Sequence, residues 1–180
     1  MNPDPTAPAP TTSTAPELPA EPQTPYAKME WLLDRFVTKV PGVTHALLAS
    51  KDGLVLLSSN PMSKDWADTV AATVSGHASI ARATPGARGE LLPAQQVMIE
   101  RADGVFLIMV AGEGHRSVFP SQAGVPGDAM VETLLGVLAE PSADIRVAGF
   151  EMNQLIKRFG EHMTTPVRQP AYGASAATIR

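Results

Sequence analysis

Gly112-Glu113-Gly114-His115-Arg116-Ser117 has the composition of a phosphate-binding loop, with glycines that let a backbone close around an anion, then a cation and a hydroxyl. Composition is not enough for that chemistry. The loop would have to open a helix whose free N–H groups face the phosphate, and this stretch follows a strand without opening one. A GxxxxGK[ST] motif is absent. The four histidines, His45, His77, His115 and His162, fall on separate segments without HxxxH or HExxH spacing, so they do not form a zinc set. His77 reads as a hydrogen-bonded core or interface histidine. The chain has no cysteine, hence no thiolate nucleophile and no disulfide framework. No GxSxG elbow presents a serine. Glu100 and Asp103 bracket a hairpin turn and read as solvated turn chemistry. No nucleophile, base and oxyanion donor come together. The expectation is a protein without catalytic residues, cofactor or metal.

The elements that could position such groups are easier to read. MEWLLDRFVTKV, Met29 to Val40, carries Met29, Leu32, Leu33, Phe36, Val37 and Val40 as an apolar stripe at helical spacing. Pro41 cannot continue a helix and Gly42 frees the turn. Two strands follow, at about 43–50 and 54–59, joined by Lys51-Asp52-Gly53. Pro61 closes the second, and Ser63 with Asp65 opens a second helix from Lys64 to about Ala83. That helix is rich in small residues (Ala67, Ala71, Ala72, Ser75, Gly76, Ala78, Ser79), while Trp66, Val70, Val74 and Ile80 spread over more than one face. A third strand at about 95–101 alternates Val97 and Ile99 against Gln96, Met98 and Glu100. Asp103-Gly104 turns it into VFLIMVA, apolar on both faces. TLLGVLA, Thr133 to Ala139, is the fifth strand. A last helix buries Ile145, Ala148, Met152, Leu155, Ile156 and Phe159. The order αββαβββα predicts an α+β fold, a five-stranded antiparallel sheet with helices on its faces.

Composition narrows the function. Eight of the seventeen prolines lie in residues 1–25, which hold no Lys or Arg. Residues 1–26 are therefore expected to be a disordered Pro-rich tail, and 166–180 a flexible one. The domain is expected at 27–165. The opening MNPDPTAPAP lacks the cationic and apolar parts of a signal peptide. VFLIMVA is too short to span a bilayer. A net charge of −4 with scattered arginines argues against a nucleic-acid face. A cytoplasmic protein is expected, with any membrane association made through partners.

WLLDRFVTKVPGVTHALLASKDGLVL, QQVMIERADGVFLIMVAGEG and SADIRVAGFEMNQLIKRFGEHMTTPVR, in that order, resemble the opening, central hairpin and final helix of the roadblock/LC7 family, in its actinobacterial branch. The resemblance runs from Ala27 to Arg168, one segment excepted. It implies the profilin-like roadblock fold and a non-enzymatic, conservon-type regulator. Such proteins are dimeric platforms for small Ras-like GTPases, some of them GTPase-activating partners, and in actinobacteria they are encoded with a sensor kinase-like protein. It also implies that third strands pair edge to edge while second helices cross beneath them. The expected dimer interface is then Val70, Val74, His77, Ala78, Ala81, Gln96, Met98 and Glu100. The alternatives are a GAF- or PAS-like small-molecule sensor, or a scaffold for another roadblock-type protein without GTPase binding.

One segment departs from the family pattern. EGHRSVFPSQAGVPGDAMVE, about 113–132, stands where the family has a short turn. It reads as a tolerated surface loop or as an arm presenting Arg116, Val118 and Phe119 to a partner. Trp31 lies off the first helix's stripe beside Asp34, Arg35 and Thr38, and reads equally as the other partner contact or as an indole that caps the edge of the core.

Overall fold

The computed structural model describes residues 22–59, 62–122 and 130–164. Helix α1, Pro25–Lys39, starts two residues before the expected boundary at Ala27. Thr24 caps it, its hydroxyl accepting from the Ala27 N–H at 3.2 Å, and Pro25 fits the first turn, where no N–H is needed. The helix ends at Lys39, just before Pro41-Gly42. Gly42 takes φ +80°, and a Cβ there would stand 2.7 Å from Ala143 Cβ, so only glycine fits.

Strands β1 (Val43–Ser50) and β2 (Val55–Ser58) form a hairpin, with Gly53 at φ +83° in its turn. Helix α2 spans Lys64–Ala83; Ser63 occupies the N-cap but makes no capping bond through its side chain. Then come β3 (Gln96–Arg101), β4 (Gly104–His115), β5 (Met130–Ala139) and helix α3 (Ile145–Met163). Asp144 caps α3 by accepting from the N–H groups of Arg146 and Val147. The strands lie in the order β2-β1-β5-β4-β3, every pair antiparallel.

The period-two pattern of the strands sends alternate side chains to two cores. On one face Leu48, Leu107, Met109, Leu135 and Val137 meet α1 and α3 through Leu33, Phe36, Met152 and Phe159. On the other, Leu47, Ile108 and Leu134 meet α2 through Val70, Ala71 and Val74. Gly136 allows that second contact, because a Cβ there would fall 2.6 Å from Val74 Cγ2.

The expected loop at 113–132 is corrected. Strand β4 continues through His115 and β5 begins at Met130, so Glu113 pairs with Glu132 and His115 with Met130. Two 3-10 turns follow, at Arg116–Val118 and Pro120–Gln122. Residues 123–129 lie outside the described part, as do residues 1–21 of the tail expected at 1–26 and all of the tail expected at 166–180.

Candidate interaction surface

The residues singled out for chemistry do not converge. Gly112 to His115 is strand, followed by a 3-10 turn too short to present a helix N-terminus. His115 Nδ1 accepts from the Ser117 N–H at 3.3 Å, a local bond within the turn. His77 Nδ1 donates to the Thr73 carbonyl one helical turn back, at 2.8 Å. His45 stands edge-on to Trp66 with ring centroids 4.4 Å apart, and burial lowers its pKa. Asp103 pairs with Arg101 across the β3–β4 turn at 2.8 Å, and that bond holds its carboxyl below the usual range. Among the described residues no group of three or more His, Cys, Asp or Glu could hold a metal ion. Among them, too, no helix is long and apolar enough to cross a membrane.

What the structure does assemble is a surface at one edge of the sheet. Strand β3 bonds to β4 on one side and is an end of the sheet on the other. Val97, opposite Ile108, faces the α2 layer together with Ile99. Gln96, Met98 and Glu100 face the α1/α3 layer, yet all three are exposed, Met98 by 54%. Helix α2 covers the β3–β4 strip incompletely. A cleft of about 300 Å³ opens at its C-terminal half, lined by Ala78, Arg82, Val97, Ile108 and Val110. Another of about 520 Å³ opens at its N-terminal half, lined by His45, Trp66, Val70, Arg101 and Phe106. Both clefts border the β3–β4 hairpin. Outside them α2 exposes Ile80 by 68%.

A charged cluster holds this frame. The Glu132 carboxylate of β5 accepts from Lys51 Nζ at 3.0 Å and from the Arg82 guanidinium of α2. Burial alone would raise its pKa, but the two cations outweigh burial and keep it below the ordinary glutamate value. Ser75 adds a bond from its hydroxyl to the Lys51 carbonyl. The C-terminal half of α2 is thereby tied to β5 and to the β1–β2 turn.

The expected interface residues divide. Gln96, Met98 and Glu100 are at the open edge, while His77, Ala78 and Ala81 are half-buried on α2. Val70 and Val74 are corrected: at 7% and 0% exposure they belong to the protomer's own core beneath α2. Small residues elsewhere on α2 made its larger apolar side chains look available, but these are the ones that seat the helix. Phe119 is corrected as well. It is fully buried with Val118, its ring against Gly114 and Met163, so neither is presented to a partner. Arg116 is half-buried, its Nε without a hydrogen-bond partner among the described residues. Trp31 remains 43% exposed, with the Arg35 guanidinium over its ring at 5.1 Å. Phe150, 61% exposed, is an aromatic that sequence reasoning passed over. Its place off the α3 stripe of Ala148, Met152, Leu155 and Phe159 was the available signal.

The roadblock/LC7 domain family matches residues 29–115. A roadblock/LC7 domain from Streptomyces avermitilis is 33% identical over 76% of this chain and 98% of its own, with a TM-score of 0.60. A second domain from that organism is 29% identical over 73% and 97%, with a TM-score of 0.52. The gliding protein MglB from Thermus thermophilus shares the fold at 18% identity over 78% and 92%, with a TM-score of 0.60. No curated protein matches the chain. The chain belongs to the roadblock/LC7 family.

Proposed function

We propose that this protein is a dimeric regulator that binds a small Ras-like GTPase and shifts its nucleotide cycle. The observation that carries the reading is the open edge of β3, flanked by two clefts beside α2. An exposed strand edge invites pairing, and a second copy of the same edge is the simplest cover. A platform of this kind needs no catalytic residue. It can act by holding the GTPase's own switch loops in one arrangement. A donated arginine is not required, and half-buried Arg116 is poorly placed to be one. The family resemblance adds a sensor kinase-like protein as a further partner, and a cytoplasmic location with any membrane contact made through partners. The Pro-rich stretch before Thr24 and the residues after 164 are proposed to be dispensable for this binding.

The test is to mix the protein with a purified Ras-like GTPase from the same genome, loaded with GDP or with a non-hydrolysable GTP analogue, and titrate each form. Saturable binding with different affinities supports regulation. Equal affinities leave only a scaffold, and no binding removes the GTPase reading. A small-molecule sensor is the second reading, favoured by the cleft that Trp66 and His45 line. Saturable binding of a small molecule, lost in Trp66→Ala, would support it instead.

A further inference from the structure

We propose that residues 16–21, the part of the Pro-rich stretch next to α1, lie along the free edge of β2 and cover it within the same chain. The sheet ends at two strands, and β2 is the end opposite β3. Among the described residues β2 makes ladder hydrogen bonds to β1 alone. Leu57 stands opposite Leu48, and the Ser59 N–H donates to the Ala46 carbonyl. The intervening Ser58 therefore turns its own N–H and carbonyl outward. An edge of this kind invites pairing unless something covers it.

A groove of about 480 Å³ runs along that edge, lined by Tyr26, Leu54, Val55, Met62, Lys64 and Ser121 among others. Tyr26 packs with the α1/α3 core and Met62 with the α2 core, so the groove reaches both faces of β2. Leu54 on its wall is 52% exposed. Lys64 is already paired with Asp68 at 2.5 Å, so the groove favours apolar groups over a charged one. The chain itself supplies such an occupant. Tyr26 lies two residues after the Thr24 cap, so the preceding residues leave α1 at the rim of this groove. Pro22 is already half-buried there. Pro16, Pro19 and Pro22 recur at every third position, the period of a polyproline II helix, which sets all three on one edge. Leu18 falls on the adjoining edge; apart from Met1 it is the large apolar side chain of residues 1–21. At about 3.1 Å per residue, residues 16–21 span roughly 19 Å, enough to run the length of a four-residue strand of roughly 13 Å. A polyproline backbone is preformed, so docking it costs less ordering entropy than docking a flexible segment. Pro16 and Pro19 have no N–H to offer a further strand, so this cover ends the sheet rather than extending it. The stretch stays dispensable for GTPase binding, because its part is to close the edge away from β3.

The chain contains no cysteine, so an introduced pair reports one contact. Leu18→Cys with Leu54→Cys puts a thiol on each side of the proposed contact. Leu18→Cys with Glu30→Cys is the control, because Glu30 is exposed on α1, outside the groove and nearer to residue 18 in sequence. In the full chain, in a glutathione redox buffer, the first pair is expected to close an intramolecular disulfide at least tenfold faster than the control, read by mass and by mobility on a non-reducing gel. Equal rates, or a faster control, overturn the proposal. A disulfide that joins two copies instead also overturns it. As a second measurement, Pro16→Gly, Leu18→Asp and Pro19→Gly together should speed hydrogen exchange at the Ser58 amide several-fold and leave exchange in β4 unchanged. Exchange that is unaltered at Ser58, or raised as much in β4, would overturn the cover.

Discussion

Phe119 and Gly114 occupy adjoining space, since a Cβ on Gly114 would fall 2.7 Å from the Phe119 ring. The ring is fully buried and closes the end of the α1/α3 core beside Met163. Phe119→Ala should therefore destabilise the fold by roughly 3–5 kcal/mol, read by urea unfolding. Unchanged stability would show that the ring is not a core side chain. Glu132 behaves differently because its role depends on charge. Its folded pKa is depressed, so its stabilisation is complete above the unfolded glutamate value, about 4.3, and is lost as pH falls through the folded value. The stability difference between the native chain and Glu132→Gln should be largest near neutrality and shrink below about pH 4. A constant difference from pH 7 to pH 3 would remove the carboxylate from that role. The histidines and the glycines near Gly112 were legible as residue types. That they stay apart follows from which strand each occupies.

At the scale of elements, α2 and β3 form one surface. Ala67, Val70, Ala71 and Val74 seat α2 on the sheet, and Ile80 looks outward. Ile80→Glu should leave the protomer's melting temperature within a degree or two, because the side chain is already 68% exposed. If α2 takes part in the dimer, the same change should shift light scattering from dimer to monomer. A dimer of unaltered strength would exclude α2's outer face from the interface. Helix α3 has the opposite relation to stability. Met152, Leu155 and Phe159 are buried against the sheet and α1, and burial of each stabilises by roughly 1.5–3 kcal/mol. Removal of the chain from Ile145 onward should abolish cooperative unfolding; a truncated chain that still melts sharply would contradict that dependence. The helix periods were readable because each stripe has a single buried face. The division of α2's residues between core and surface was not, because several of its faces are small or apolar.

For the whole molecule, regulation requires different affinities for two states of the partner. A regulator shifts an equilibrium by no more than that difference. The protein should bind one nucleotide form of the GTPase at least fivefold more tightly than the other, a coupling of about 1 kcal/mol. Trp31, if it anchors that complex, should cost about 2 kcal/mol of binding when changed to alanine, with no fall in melting temperature. Calorimetric titration measures both. An unaltered affinity would return Trp31 to its local contact with Arg35.

The sequence by itself determined the order of elements, the antiparallel sheet and the family. Those features rest on local patterns: a 3.6-residue stripe in α1 and α3, Asp-Gly turns after β1 and β3, and alternation in β3. Only the tertiary structure decided the fate of residues 113–132. Gly112 to His115 and Met130 to Thr133 carry no strong strand pattern, but opposed in a long hairpin they bond to one another. Once those strands lengthen, Val118 and Phe119 are carried over the open end of the α1/α3 core and buried there. Tertiary structure likewise turned Val70 and Val74 inward and left Met98 at an open edge. Burial is set by what lies across from a residue, and that neighbour is fixed by contacts between segments distant in sequence.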